Sequence, residues 1–74
     1  MVYLEKRIPD QNQFRFYSLW LVPNLFGGWS LIREWGRIGS PGTLRVDSFD
    51  TQHEAQDALD KLAFLKTRRG YVCK

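Results

Sequence analysis

At Thr51 the apolar pattern of this chain changes its period, and that switch divides a sheet-forming part from a helix-forming part. Upstream, apolar and aromatic residues come in short runs separated by turn residues. Downstream, Ala55, Ala58, Leu59, Leu62 and Lys66 recur at helical spacing, with Ala63 and Leu65 at the margins. Thr51-Gln52-His53-Glu54 is a capping box, with a hydroxyl at the N-cap and a carboxylate three residues on. Asp50, Glu54 and Asp57 lie at the start of the predicted helix, and Lys61, Lys66, Arg68 and Arg69 lie at or beyond its end. That order complements the helix dipole. Gly70 is a stop signal, and Tyr71-Val72 follows as a last short strand or a docked tail.

Four strands are expected before the switch. Met1 to Ile8 has mixed faces, and Pro9-Asp10-Gln11-Asn12 turns the chain. Phe14 to Val22 is rich in aromatic and β-favouring residues. Pro23-Asn24 ends it, and Gly27-Gly28 closes a short connection to Trp29–Ile38. Gly39-Ser40-Pro41-Gly42 turns the chain again into Thr43–Phe49. Short connections favour antiparallel pairing. The expected architecture is α+β: a twisted antiparallel sheet of about four strands with one C-terminal helix packed on it. The 74 residues form one domain, 1–74, with no internal repeat and no linker.

Charge is sorted along the chain. Met1 to Val46 holds Lys6, Arg7, Arg15, Arg33, Arg37 and Arg45 against Glu5, Asp10 and Glu34. Asp47 to Asp60 holds acids and no cation; Lys61 to Lys74 holds cations and no acid. The net charge of +3 permits a polyanionic partner without demanding one. Arginine outnumbers lysine, and its planar guanidinium suits bidentate phosphate contacts.

The candidate site is Trp35-Gly36-Arg37. Alternation along a strand puts Arg33, Trp35 and Arg37 in one row, cation, ring, cation. Gly36 lets another backbone or a ligand come close. A ring flanked by guanidinium groups can stack a base or sugar and hold phosphates. A strand Trp is also commonly core, with its Arg neighbour a solvated or stacked cation. A second basic segment, Lys66-Thr67-Arg68-Arg69-Gly70-Tyr71, serves the helix dipole and could also reach phosphate.

Catalysis is not expected. The one histidine, His53, sits in the capping box with no partner at metal-ligand spacing. Neither glycine cluster matches a phosphate-binding loop ahead of a helix. No metal and no cofactor is expected. The single cysteine, Cys73, rules out an intrachain disulfide, and no signal-peptide core or membrane-length apolar run is read. A cytoplasmic location is the expectation, without a membrane partner.

At Trp35-Gly36-Arg37-Ile38-Gly39 the chain resembles the WGR domain family. The resemblance extends to Phe16-Tyr17, to Phe26-Gly27-Gly28-Trp29, to Gly42, and to the helix residues Ala55, Leu59, Leu62 and Lys66-Thr67 closed by Gly70-Tyr71. It covers about Phe14 to Tyr71. It implies a twisted antiparallel sheet with one helix. In the DNA-dependent poly(ADP-ribose) polymerases this domain binds near the end of a DNA break and relays binding to a catalytic domain. Carried over, it implies Trp35 and Arg37 as contacts, Gly36 as the point of close approach, and Arg15 on an adjoining strand. Small free-standing bacterial proteins also carry the domain. This chain departs from the polymerases in lacking the transferase domain and zinc fingers that would receive the signal.

The expected function is therefore a non-catalytic nucleic-acid-binding module, DNA over RNA, acting through Trp35, Gly36, Arg37, Arg33, Arg15, Arg68 and Arg69. The alternative is a protein-interaction module using the same aromatic face. The oligomeric state is left open, with a monomer favoured and edge-to-edge dimerisation the other option.

Overall fold

The computed structural model describes residues 1–74. The five strands are β1 (Val2–Ile8), β2 (Gln13–Pro23), β3 (Trp29–Arg37), β4 (Thr43–Phe49) and β5 (Val72–Cys73), and the helix is α1 (Gln52–Arg68). All pairings are antiparallel, in the order β4-β3-β2-β1-β5. The first four strands follow one another as hairpins, as their short connections require. The sheet has the four expected strands and a fifth, short one next to Tyr71-Val72, for which the sequence offers a last strand or a docked tail. The extra strand is the two-residue β5, which returns from the helix to pair with β1 at Leu4 and Glu5. Two residues are too few for alternation to register in a sequence.

Turn chemistry agrees with the sequence. Pro9–Gln11 forms one turn of 3₁₀ helix, and Asn12 closes it at φ 53°, a left-handed conformation that Asn tolerates. Between β2 and β3 the Asn24 side-chain oxygen accepts from the backbone N–H groups of Phe26 and Gly28, both at 3.0 Å. The Thr51 hydroxyl accepts from the Glu54 backbone N–H at 3.2 Å and donates to the Glu54 carboxylate at 3.0 Å; Thr51 is the expected N-cap, but Glu54 returns to its hydroxyl and not to its backbone N–H, so only half of the capping box forms.

Register explains the core. Cross-strand rows on one face read Leu4–Tyr17–Trp35–Thr43, then Val2–Leu19–Arg33–Arg45, then Leu21–Leu31–Asp47. Helix α1 covers this face with Ala55 and Leu59 buried and Ala58, Leu62 and Ala63 partly so. Leu4, Leu19 and Leu31 lie almost fully buried beneath it. The helix crosses the sheet over β2, β3 and β4, so most of the covered area lies at one end of the rows. The opposite sheet face carries Tyr3, Phe16, Trp20, Ile32, Leu44 and Val46, and no element covers it.

The helix ends on a Schellman motif. Gly70, at φ 98°, donates to the Thr67 carbonyl at 3.1 Å, and Tyr71 donates to the Lys66 carbonyl at 3.1 Å. The left-handed glycine reverses the chain and drops Tyr71 back onto the sheet. Tyr71 is buried there, with its ring edge-on to Tyr17 at 6.4 Å.

Leu19 has no exposed surface and lies on the central strand. Leu19→Ala should lower unfolding free energy by about 2–5 kcal/mol, read as a shift of the urea midpoint at constant slope. Thr51→Ala, which removes the cap alone, should cost about 1 kcal/mol.

Candidate nucleic-acid interface

The site lies where helical cover ends. Beyond the Leu4–Tyr17–Trp35 row, the next row across β1, β2 and β3 is Lys6–Arg15–Arg37. Three cations stand side by side on neighbouring strands. Like charges directly opposite one another weaken a sheet, so this row does not serve stability. Helix α1 adds a fourth cation from above. The Lys66 ammonium sits 4.5 Å from the centre of the Tyr17 ring and 5.7 Å from that of Tyr71.

These groups border a cleft of ≈ 530 Å³. Its wall runs from Gln11–Arg15 through Tyr17 and Trp35-Gly36-Arg37 to Lys66 and Tyr71. Three of the lining residues, Arg15, Arg37 and Lys66, are cationic, and none is acidic. Burial holds the Lys66 ammonium below the usual lysine value, and Arg69, Arg33, Arg15 and Lys6 push it the same way. A cation held among cations without a carboxylate makes this end of the cleft electropositive.

Each expected site residue has a definite place. Arg37 is exposed at the mouth. Its guanidinium donates to the Asn12 carbonyl and to the Asn12 side-chain oxygen, both at 3.3 Å, and lies over the Phe14 ring at 5.4 Å. Its partners are neutral, so its charge is oriented without being cancelled. The left-handed Asn12 supplies both acceptors. Arg15 is exposed beside it.

Trp35 is half-buried. One face of its ring stacks on Tyr17 at 5.7 Å with a 15° interplanar angle, so only part of the indole is free for a ligand. Arg33 does share the Trp35 row's face, with its guanidinium 5.8 Å from the ring. It is also tied to the Asp47 carboxylate at 3.1 Å and donates to the Tyr17 hydroxyl at 3.4 Å. Arg33 therefore braces Tyr17 from behind and does not line the cleft. The expected cation–ring–cation row is present, but only Arg37 of its two cations faces the opening.

Gly36 meets its close neighbour inside the chain. A Cβ there would sit 3.2 Å from the Gly42 Cα, and a Cβ on Gly42 would sit 2.7 Å from the Trp35 carbonyl oxygen. Of the two readings of Gly36, the structure contains the backbone approach: the β3–β4 turn crosses this point. Arg68 lies over Phe64 at 5.8 Å, and neither Arg68 nor Arg69 lines the cleft.

Lys66 belongs to the basic segment that the sequence offers as a second phosphate contact, whereas Lys6 is not among the expected site residues. Lys66 followed the helical stripe and read as its last apolar-face position, a placement that is correct and is also what points it at the cleft. Lys6 could be found by pairing β1 with β2 across the Pro9–Asn12 turn, which sets it opposite Arg15. His53 is exposed and pairs with Asp57 at 3.3 Å on its own helix. No group of three or more His, Cys, Asp or Glu side chains could hold a metal, and no helix is long and apolar enough to cross a membrane.

The Lys66 Cε resonance, followed by carbon-detected NMR, should titrate with a midpoint below the ordinary lysine value of 10.5. Arg15→Ala should move that midpoint upward, because it removes a positive neighbour. A midpoint indifferent to Arg15 would mean that the cations do not share the cleft.

The family model for the WGR domain matches residues 1–74. The uncharacterized protein y4dW of Sinorhizobium fredii (strain NBRC 101917 / NGR234) is 39% identical over 70 residues, which cover 95% of this chain. The chain spans about a third of that relative, 34% of its length. No solved structure matches the chain. The matched family is a binding-type domain that associates with nucleic acids in general. With the Trp-Gly-Arg tripeptide at the mouth of its cationic cleft, the chain belongs to the WGR domain family.

Proposed function

We propose that residues 1–74 act as a single non-catalytic domain that binds nucleic acid, DNA in preference to RNA, in the cleft beside Trp35-Gly36-Arg37. The observation that carries this reading is the cleft's charge: Arg15, Arg37 and Lys66 line it with no carboxylate among them. Arg37 and Lys66 hold phosphate oxygens, one from each side. Arg15 neutralises the backbone between them, with Lys6 at the edge. The free part of the Trp35 ring packs on a sugar or base. Gly36 keeps the β3–β4 turn close, so that Trp35 and Arg37 keep their register. Arg33 orients Tyr17 and Trp35. Arg69 and Arg68 add longer-range attraction to backbone leaving the cleft. Cytoplasmic location fits a chain whose one cysteine, Cys73, is free and exposed.

Fluorescence anisotropy against blunt, nicked and single-stranded DNA, with RNA of the same sequence beside it, tests the assignment. Arg37→Ala and Lys66→Ala should each weaken binding and reduce the salt slope by about one. Trp35→Ala should cost about 1–3 kcal/mol, the scale of a lost stacking contact. Because Trp35 also stacks on Tyr17, circular dichroism must show the fold intact, and Trp35→Phe should keep part of the affinity. Affinity unchanged in all three variants would sink the reading, and binding indifferent to salt would mark an apolar protein partner instead.

Lys66 also sets a pH dependence. Its ammonium must be charged to hold an anion, and its free value lies below 10.5. Affinity should therefore be flat below that lowered value and fall as pH rises through it. Lys66→Arg should abolish the fall, because an arginine stays charged over that range.

A further inference from the structure

Strand β4 is an outer strand of the sheet. Its inner side pairs with β3 over seven consecutive residues without a bulge. No backbone bond outside the helix and the strand ladders involves residues 43–49, so its outer N–H and C=O groups have no partner in the chain. Thr43–Phe49 contains no proline and no lysine, and its two charged residues, Arg45 and Asp47, are of opposite sign, so they guard the edge against most partners but not against one that pairs them. The other side of the sheet is closed by β5, only two residues long.

We propose that β4 pairs antiparallel with β4 of a second copy of this chain, about a two-fold axis at Val46, to give a continuous ten-stranded sheet. The sequence of the strand favours this partner. Centred on Val46, the pairing sets Arg45 of each copy opposite Asp47 of the other, and Leu44 opposite Ser48. Opposite charges directly across a strand pair stabilise it. Sliding by two residues either way sets Asp47 against Asp47 or Arg45 against Arg45. Sliding by one residue would turn the second copy's apolar rows to the wrong face. Among the registers near full overlap, this one alone matches both charge and face.

The side chains are placed for the exchange. Arg45 is exposed and uses its Nε on Asp47 of its own strand at 3.2 Å. Neither terminal nitrogen of its guanidinium appears in a hydrogen bond or ion pair of its own chain. On the uncovered face, Val46 and Leu44 are 52% and 56% exposed. A groove of ≈ 360 Å³ runs there past Val22, Phe26, Ile32, Val46 and Ser48. The second copy's Leu44, standing opposite Ser48, lies beside this groove. Dimerisation thus joins two apolar faces that no element of the chain covers. It replaces the monomer favoured by sequence, and it leaves both cationic clefts on the helix-bearing side of the joined sheet. The proposal does not depend on what the cleft binds.

Sedimentation velocity over a concentration series, with the wild-type chain, is the first test. The expected result is a species of twice the 8.7 kDa chain mass. Val46→Lys puts two ammonium groups on the axis and should weaken the dimer by about tenfold or more, since like charges in a buried contact are strongly unfavourable. Register is tested by oxidation in a Cys73→Ser background. Opposite Cα atoms in an antiparallel pair lie about 4.5–5.5 Å apart, within the roughly 4.4–6.8 Å span of a disulfide. Val46→Cys should therefore cross-link to itself. Leu44→Cys should not, but should cross-link when mixed with Ser48→Cys. A chain that stays monomeric at the highest concentration overturns the proposal. So does a dimer that Val46→Lys leaves intact, or one in which Leu44→Cys cross-links to itself.

Discussion

The ring of Tyr17 is the contact on which the rest of the molecule depends. It sits on the strand between β1 and β3, stacks on Trp35, receives Tyr71 edge-on, and lies under the Lys66 ammonium. Its hydroxyl takes a hydrogen bond from Arg33, which Asp47 anchors on the β4 side. Sheet, helix and C-terminal strand are thus referred to one side chain. An aromatic ring can do this because it offers two faces, an edge and a polar tip at once. A leucine there would fill the core but would leave Trp35 and Lys66 without a common support.

The cleft is a by-product of how far the helix reaches. A single helix covers the middle and one end of the rows that β1–β4 build. Where the cover is complete, the inner strands carry leucine, with Arg33, Arg45 and Asp47 tied to one another toward β4. Where it ends, the rows become tyrosine and tryptophan, and one row further on they become Lys6, Arg15 and Arg37. The transition from apolar to aromatic to cationic follows the loss of cover. The cationic row costs stability because its members repel, and Lys66 is held uneasily beside it.

Much of this was legible in the sequence. The Thr51 N-cap, the position of the helix, the four long strands and the turns follow from local rules, because caps, prolines and alternating runs act over a few residues. That Trp35 and Arg37 share one face of β3 was legible through alternation. What the sequence did not yield depends on contacts distant along the chain. Arg33 alternates like Arg37, but only the pairing of β3 with β4 brings Asp47 near enough to bind it. Gly36 reads as a close approach of either a backbone or a ligand, and only the β3–β4 turn, which brings Gly42 across it, decides for the backbone. Lys66 reads as the end of a helical stripe, and only the Schellman motif with Tyr71 shows what that stripe ends against. β5 is too short for any periodicity.

The Schellman motif carries a further consequence. Lys66 belongs to the last turn of the helix, and that turn is fixed by Gly70, by Tyr71 under the lysine, and by a two-residue strand on β1. Helix ends and short edge strands open at lower free energy than the leucine rows beneath the helix middle. The cation that completes the cleft is therefore mounted on one of the least rigid parts of the fold, while Arg37 and Trp35 are mounted on an inner strand. One jaw of the cleft is stiff and the other compliant. On the proposed reading, a ligand rests on the fixed wall of β3 and the helix end is the part that adjusts to it.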